Sequence, residues 1–389
     1  MPVCPFTHQY RPVWTGKLLG VLPALSIAGP AIAQPATPGE ADSELRPLGE
    51  LRPTLEEFGI EFELGLTSVF QLASESQGER DSLASYSYDF AGQWTLIDDA
   101  TGTGAVGWLV EGGRPLFSDR DSDLGADVGS ALGINDDLDN TDIDLTEFWW
   151  THELLDGSLA LTLGKIDQTA FFDGNAIAND ETAAFLATPL VNSSGVAFPD
   201  NGLGFNATFT PSDLFYISGG LVDSDPEGER VFSSFNGNEL FGAIEIGFTP
   251  VIDGLGQGNY RVLGWTTQLA DGTSGSGFSF SLDQEIGGGL VPFARYSQGD
   301  EDVLDFEEFI SGGIGMQGLG GREDDLLGVG FAWGDAVGGG EETLFEAFYN
   351  IAVNEFLTVT PHVQYIYNPL GNPTEDDATV VGFRLQATY

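Results

Sequence analysis

With 389 residues, 60 acidic and only 13 basic side chains, the chain carries a net charge of −47, which excludes nucleic acid as a partner. Hydrophobic residues at 41% and aromatic residues at 12% exclude a disordered acidic chain, and 54 glycines among short alternating stretches point to strands and turns. A single cysteine, Cys4, excludes a disulfide framework and a cysteine-based metal centre.

The chain opens with Arg11 and Lys17 ahead of an apolar stretch, Leu18 to Ala33, that ends Ala31-Ile32-Ala33. This is the pattern of a secretory signal peptide over residues 1–33, cleaved after Ala33. Pro23 and Pro30 interrupt the stretch, and it is short for a membrane helix. Residues 34–57 then read as a periplasmic lead-in, rich in proline, with a short helix from Thr54 to Phe58, Thr54 as its N-cap, and a position capping the periplasmic mouth of a channel.

From residue 58 to 389 the pattern changes to a period of two. Phe58, Ile60, Phe62, Leu64 and Leu66 alternate with Glu61, Glu63 and Gly65. Further alternating segments fall near 83–97, 104–117, 143–155, 158–166, 202–210, 214–222, 239–249, 259–269, 277–285, 289–298, 309–317, 325–334, 342–353, 356–367 and 378–389. The last places Thr379, Val381, Phe383, Leu385, Ala387 and Tyr389 on one face and Gly382, Arg384, Gln386 and Thr388 on the other. One face suits lipid and the other water, so the fold class is all-β: a transmembrane antiparallel β-barrel of about 16 strands in a Gram-negative outer membrane, with a short N-terminal helical segment. Such a barrel leaves an aqueous channel, and glutamates belong on its inner face. Turns such as Asp156-Gly157 and Pro211-Ser212-Asp213 fit the periplasmic side, and the longer links near 119–142, 167–201, 223–238 and 299–308 fit the outer side or the lumen.

Several segments in order along the chain resemble the carbohydrate-selective porin family, OprB. They are Leu51 to Ile60, Leu163-Gly164-Lys165-Ile166-Asp167, Phe293-Ala294-Arg295-Tyr296, Ser311 to Leu319 running into Gly321-Arg322-Glu323-Asp324-Asp325, Glu346-Ala347-Phe348-Tyr349, Thr360-Pro361-His362-Val363-Gln364-Tyr365, Asn368-Pro369 and Gly382-Phe383-Arg384-Leu385. The resemblance implies a sixteen-stranded pore for passive diffusion of small carbohydrates, monosaccharides such as glucose. It also implies contact with outer-membrane lipid and lipopolysaccharide and a homotrimeric assembly, for which one sequence shows no interface. The chain departs from the family in its terminal tyrosine and its acidity, which leaves a general or cation-preferring diffusion porin as the alternative.

A sugar-passing constriction needs charged or amide groups that bind ring hydroxyls weakly. The pore-lining candidates are Glu147, Lys165, Asp167, Glu245, Arg261, Arg295, Arg322, Asp325, Glu346 and Arg384. Parity favours the lumen for Arg384 and Glu346, is ambiguous for Arg295, and sets Lys165 beside the lipid-facing Leu159, Leu161 and Leu163, where it would snorkel or lie beyond the membrane. The run Asp136 to Asp144 has the alternating carboxylates of a calcium loop but lacks its sixth-position glycine, and reads as a solvated loop. Trp149 and Trp150 read as one wall and one girdle residue. With His152 and His362 the only histidines past the leader and no Gly-X-Ser-X-Gly elbow, a barrel enzyme is not expected, nor is a receptor, and no cofactor or metal is expected.

Overall fold

A computed structural model describes residues 46–78, 80–117, 123–138, 141–224 and 239–389. The leader assigned to residues 1–33 lies outside the described residues. After helix α1 (Arg46–Glu57) come β1 (Ile60–Ala73), β2 (Ser82–Asp99), β3 (Gly102–Leu116), the short helix α2 (Leu124–Val128), β4 (Thr141–Leu154), β5 (Leu159–Ile166) and the one-turn α3 (Thr188–Val191). Then come β6 (Gly202–Ser212), β7 (Phe215–Asp223), β8 (Leu240–Phe248), β9 (Val251–Ile252), β10 (Gly256–Gln268), β11 (Ser274–Gln284) and β12 (Leu290–Gly299). The chain finishes with β13 (Phe306–Gln317), β14 (Leu326–Ala336), β15 (Glu341–Asn354), β16 (Leu357–Tyr367) and β17 (Asp377–Thr388).

Each wall strand pairs antiparallel with its neighbours in sequence, and β1 pairs with both β2 and β17, from Gly65 opposite Thr388 to Ala73 opposite Val380. Strand β9 is a two-residue extension inside a turn, since β8 pairs directly with β10, so the wall has sixteen strands. Closure leaves no unpaired edge among the described strands, which is what a sheet in hydrocarbon requires. The short turns 155–158 and 213–214 share one end with α1, and the links 117–140 and 167–201 share the other.

The alternation read from the sequence is the alternation of the wall. Phe205, Phe209, Val329, Phe345, Val381 and Phe383 are exposed on the outer face, while Asn206, Arg261, Glu346 and Arg384 are buried on the inner one. The inner face also carries large apolar side chains. Phe293, Phe309, Leu344, Phe348, Ile366 and Val380 are buried there in one cluster with Leu132, Ile134, Leu138, Ile177, Phe185 and Leu190, which belong to the 117–140 and 167–201 segments. Phe185 sits edge-on between Phe293 and Phe348, at centroid distances of 5.7 and 4.9 Å. Wall glycines make room for this intrusion: a Cβ at Gly315 would stand 2.5 Å from Ile177 Cδ1, and one at Gly330 would stand 2.9 Å from Phe185 Cζ. Each buried phenylalanine of this kind stabilises the infolded segment by about 2 kcal/mol.

Three expectations are corrected. Helix α1 begins at Arg46, with Pro47 in its first turn, where a missing N–H has no intrahelical acceptor to lose; Thr54 is therefore interior and not an N-cap. The Arg52 guanidinium lies over the rings of Phe62 and Tyr389, both of the outward parity, and donates to the Phe62 carbonyl at 3.3 Å, so the helix is fastened to the outside of the rim and not across the mouth. The link near 299–308 is short, because β13 already starts at Phe306.

Gly164 has φ +155°, and a Cβ there would collide with the Phe148 carbonyl oxygen. Gly164→Ala is expected to cost about 1–3 kcal/mol of backbone strain. The temperature at which the folded band converts to the unfolded band on unheated-to-heated gel electrophoresis should fall accordingly.

Candidate functional site

The 167–201 segment leaves the wall, enters the lumen and returns, so its backbone groups need partners that neither water nor a sheet supplies. Inward-facing charges on the wall provide them. Arg295 on β12 donates through Nη2 to the carbonyls of Asp173 (2.9 Å) and Ala178 (2.5 Å), and its Nε lies 3.2 Å from the Asp173 carboxylate. Arg384 on β17 donates to the carbonyls of Glu181 and Ala184, the latter at 3.0 Å. Glu346 on β15 accepts from the amides of Leu186 (2.9 Å) and Ala187 (2.8 Å), and Glu245 on β8 accepts from Asp173 N at 2.9 Å and from the Tyr216 hydroxyl at 2.5 Å. Asn350 adds a bond to the Ala183 carbonyl at 2.9 Å.

The second intruding segment, 123–138, is held in the same manner. Glu342 accepts from Ser130 Oγ at 2.5 Å and from the amides of Ala131 (2.9 Å) and Leu132 (3.1 Å), while Gln364 donates to the Ile134 carbonyl at 2.8 Å. The two segments also join each other, with Asp136 N donating to the Leu186 carbonyl at 2.8 Å. Together they narrow a lumen that sixteen strands alone would leave wide.

The remaining candidates divide by place. Arg261 on β10 pairs with Asp283 at 3.0 Å on the inner face. Glu147 accepts from Asp167 N at 3.2 Å, and Asp167 in turn caps Thr169, whose amide it holds at 2.8 Å. Lys165 is buried, 3.7 Å from Asp144 and 3.2 Å from the Leu145 carbonyl, and does not snorkel on the lipid face. Its parity misled because the left-handed backbone at Gly164 interrupts the pleat immediately before it. Arg322 and Asp325 pair at 2.6 Å in the turn between β13 and β14, at the end of the barrel away from the long segments; Asp325 also accepts from Tyr349 at 2.6 Å. These two form a rim staple and are remote from the narrowed section.

On the inner face of β4 to β7, beside Glu147, Glu153 and Asp223, buried neutral side chains bond to one another. Thr151 and Thr162 hydroxyls lie 3.0 Å apart, Thr208 and Ser218 lie 2.9 Å apart, and Asn206 Nδ2 donates to Ser218 at 3.1 Å. Trp149 packs against the inner apolar cluster around Phe172 and Trp265, whereas Trp150 faces outward.

Sequence reasoning missed the acids of the narrowed section. Asp136 and Asp137, read as part of a solvated loop, are buried, as is Glu181; Asp89 on β2 and Asp180 remain partly exposed beside them. Burial pushes the Asp137 carboxyl from an ordinary 3.8 up to about 7, against the lowering effect of the Ser87 hydrogen bond and Arg384. Burial also raises Asp136 and Glu181, and their acidic neighbours add to it. Nothing in the sequence marks these residues except the length of the segments that carry them.

A closed sixteen-strand barrel narrowed by infolded segments defines a porin-type outer-membrane channel. Residues 110–389 match the family model described as "Carbohydrate-selective porin, OprB family", and the chain belongs to that family. Among known proteins it is similar to Porin AaxA of Chlamydia pneumoniae, 24% identical over 311 residues that cover 75% of this chain and 69% of the relative, and to Porin AaxA of Chlamydia abortus, 23% identical over 272 residues covering 66% and 60%. Its fold is similar to the high-pH structure of Pseudomonas putida OprB, with a TM-score of 0.74 at 17% identity over 88% of this chain and 97% of that one. A mutant of the Rh. blastica porin gives a TM-score of 0.53 at 11% identity over 85% of this chain and 100% of that one.

The Arg295→Met, Arg384→Met double variant loses charged hydrogen bonds worth about 2 kcal/mol each. It is expected to loosen the 167–201 segment, seen as a larger single-channel conductance and faster proteolysis within that segment. Because Asp136, Asp137 and Glu181 hold protons more tightly when folded, the stability they contribute is full below about pH 4 and is lost as pH rises toward 7. Amide exchange in residues 130–138 and 178–187 of the wild type should therefore be faster at pH 8 than at pH 5, after correction for intrinsic exchange.

Proposed function

We propose that the chain is a passive diffusion channel for small carbohydrates, monosaccharides such as glucose, exported by a signal peptide cleaved after Ala33. The observation that carries this reading is a closed sixteen-strand wall, in a chain of the carbohydrate-selective porin family, whose lumen is narrowed by infolded segments anchored through Arg295, Arg384, Glu245 and Glu346. Charged and amide groups at such a narrowing bind ring hydroxyls weakly, which allows entry and release in turn. Glu147, Lys165, Asp167 and Arg261 are proposed as further lining residues, and Arg322 with Asp325 as rim residues. A homotrimer in contact with lipopolysaccharide is proposed for the assembly. The net charge of −47 favours a second reading, a general or cation-preferring pore.

Residues 34–389, reconstituted in liposomes, are expected to admit glucose faster than a size-matched neutral non-sugar, as read by swelling rates. Equal rates for both would remove carbohydrate preference and leave the second reading.

A further inference from the structure

Helix α1 meets the barrel with one flank and leaves an apolar flank beside it open. At about 100° per residue, Arg52 and Leu55 turn toward the same side, and both are half-buried. The Arg52 guanidinium stands 5.2 Å from the Phe62 ring centre and 4.9 Å from that of Tyr389, which fixes that side against the outer face of the wall. Leu51 and Phe58, two turns apart, fall together on the neighbouring flank and are 45% and 69% exposed. Phe58 keeps this direction although it lies past the last helical residue, because its amide donates to the Leu55 carbonyl at 2.9 Å and that of Gly59 to the Glu56 carbonyl at 2.9 Å. Glu57 lies on the opposite side of the helix, in solvent.

The wall beside this flank shows what covers it. The Phe58 carbonyl accepts from the indole of Trp94 at 3.1 Å, and the Gly59 carbonyl accepts from the Thr95 amide at 2.8 Å, so the end of α1 is pinned next to an outward-facing tryptophan. Around the same end of the barrel the outward rings of Phe356 and Tyr389 stack at 6.1 Å, those of Phe215 and Phe248 lie 5.0 Å apart, and those of Phe248 and Tyr260 lie 6.1 Å apart. A belt of rings on the outer face at one end of a barrel stands at the level of the lipid headgroups. Leu51 and Phe58 continue that belt sideways.

We propose that α1 is an interfacial helix whose partner is the phospholipid surface at the short-turn end of the barrel. Leu51 and Phe58 enter the boundary between headgroups and acyl chains, Leu55 and Arg52 close the gap to the wall, and Glu57 stays in water. With glutamates on its polar side, the helix gains nothing from anionic lipid, so apolar burial holds it there and charge attraction does not. The inference goes beyond the channel reading and does not depend on what permeates.

Residues 34–389 contain no cysteine, so Leu51→Cys, Phe58→Cys and Glu57→Cys can each carry a single nitrobenzoxadiazole label. The labelled proteins are placed, as purified, in phosphatidylcholine nanodiscs, where both faces of the bilayer are open to solvent, and are quenched either by lipids bearing a nitroxide high on the acyl chain or by aqueous iodide. Single-channel conductance equal to that of the wild type shows that each barrel is folded. Lipid quenching at Leu51→Cys and Phe58→Cys is expected to exceed that at Glu57→Cys by about two-fold or more, with the reverse order for iodide. The lipid quenching is expected to be the same at low and high salt. Equal lipid quenching at all three positions, or iodide quenching at Leu51→Cys and Phe58→Cys as strong as at Glu57→Cys, overturns the membrane contact. Labels at Leu51→Cys and Phe58→Cys that are shielded from both quenchers place a second copy of the chain on the flank and overturn it as well.

Discussion

Peptide groups taken out of the wall and into the lumen must still find donors and acceptors, and the rest of the narrowed section depends on how that demand is met. The chain answers it with full charges. Arg295 and Arg384 collect carbonyls of the 167–201 segment, and Glu245, Glu342 and Glu346 collect amides from both segments. A charged partner bonds more strongly than a neutral one, and its own burial is offset by the several peptide dipoles it gathers. The same side chains that a sequence reader assigns to solute recognition are thus largely occupied in holding the segment that narrows the pore.

The apolar component works with the charges. Phe185, Ile177 and Leu190 insert against Phe293, Phe348 and wall glycines, giving the barrel an interior core. Dispersion and burial set where the segment lies, and the arginines and glutamates set its register along the wall. A second cluster, in which Phe171, Phe172 and Val196 pack against Val222, Phe241, Leu263 and Trp265, fills the lumen from another stretch of the wall, a narrowing that sixteen strands alone would not produce.

The strands were legible because lipid on one side and water on the other impose a period of two, visible in Leu203, Phe205, Ala207 and Phe209 without any structure. Arg384 and Glu346 obey the same parity and lie on the inner face. Parity failed at Lys165, where one glycine reset the pleat, and it said nothing of why Phe293 and Phe348 point inward, since their partners come from a segment distant in sequence that has no period of its own. The buried acids were illegible for a related reason. Asp136 and Asp137 in a polar run look solvated until a second segment is laid over them, and burial of a charge is a property of the assembled fold. Helix α1 was half legible: a helix stands there, but Thr54, read as its N-cap, lies inside a helix that already runs from Arg46.

The seam between β1 and β17 carries a further implication for how the protein comes into being. Leu64 and Tyr389 exchange both backbone hydrogen bonds, and Arg52 lies across the Tyr389 and Phe62 rings at the same place. The contact joins opposite extremes of the sequence, so the loop-closure entropy of nearly the whole barrel stands against it until the intervening strands are laid down. Until that moment two long strands offer open edges to any other chain. The arginine-aromatic contact thus acts like the latch of a bracelet: it adds little to any one strand, but it biases the two ends toward each other at the step where an unclosed sheet would otherwise be captured by a stranger.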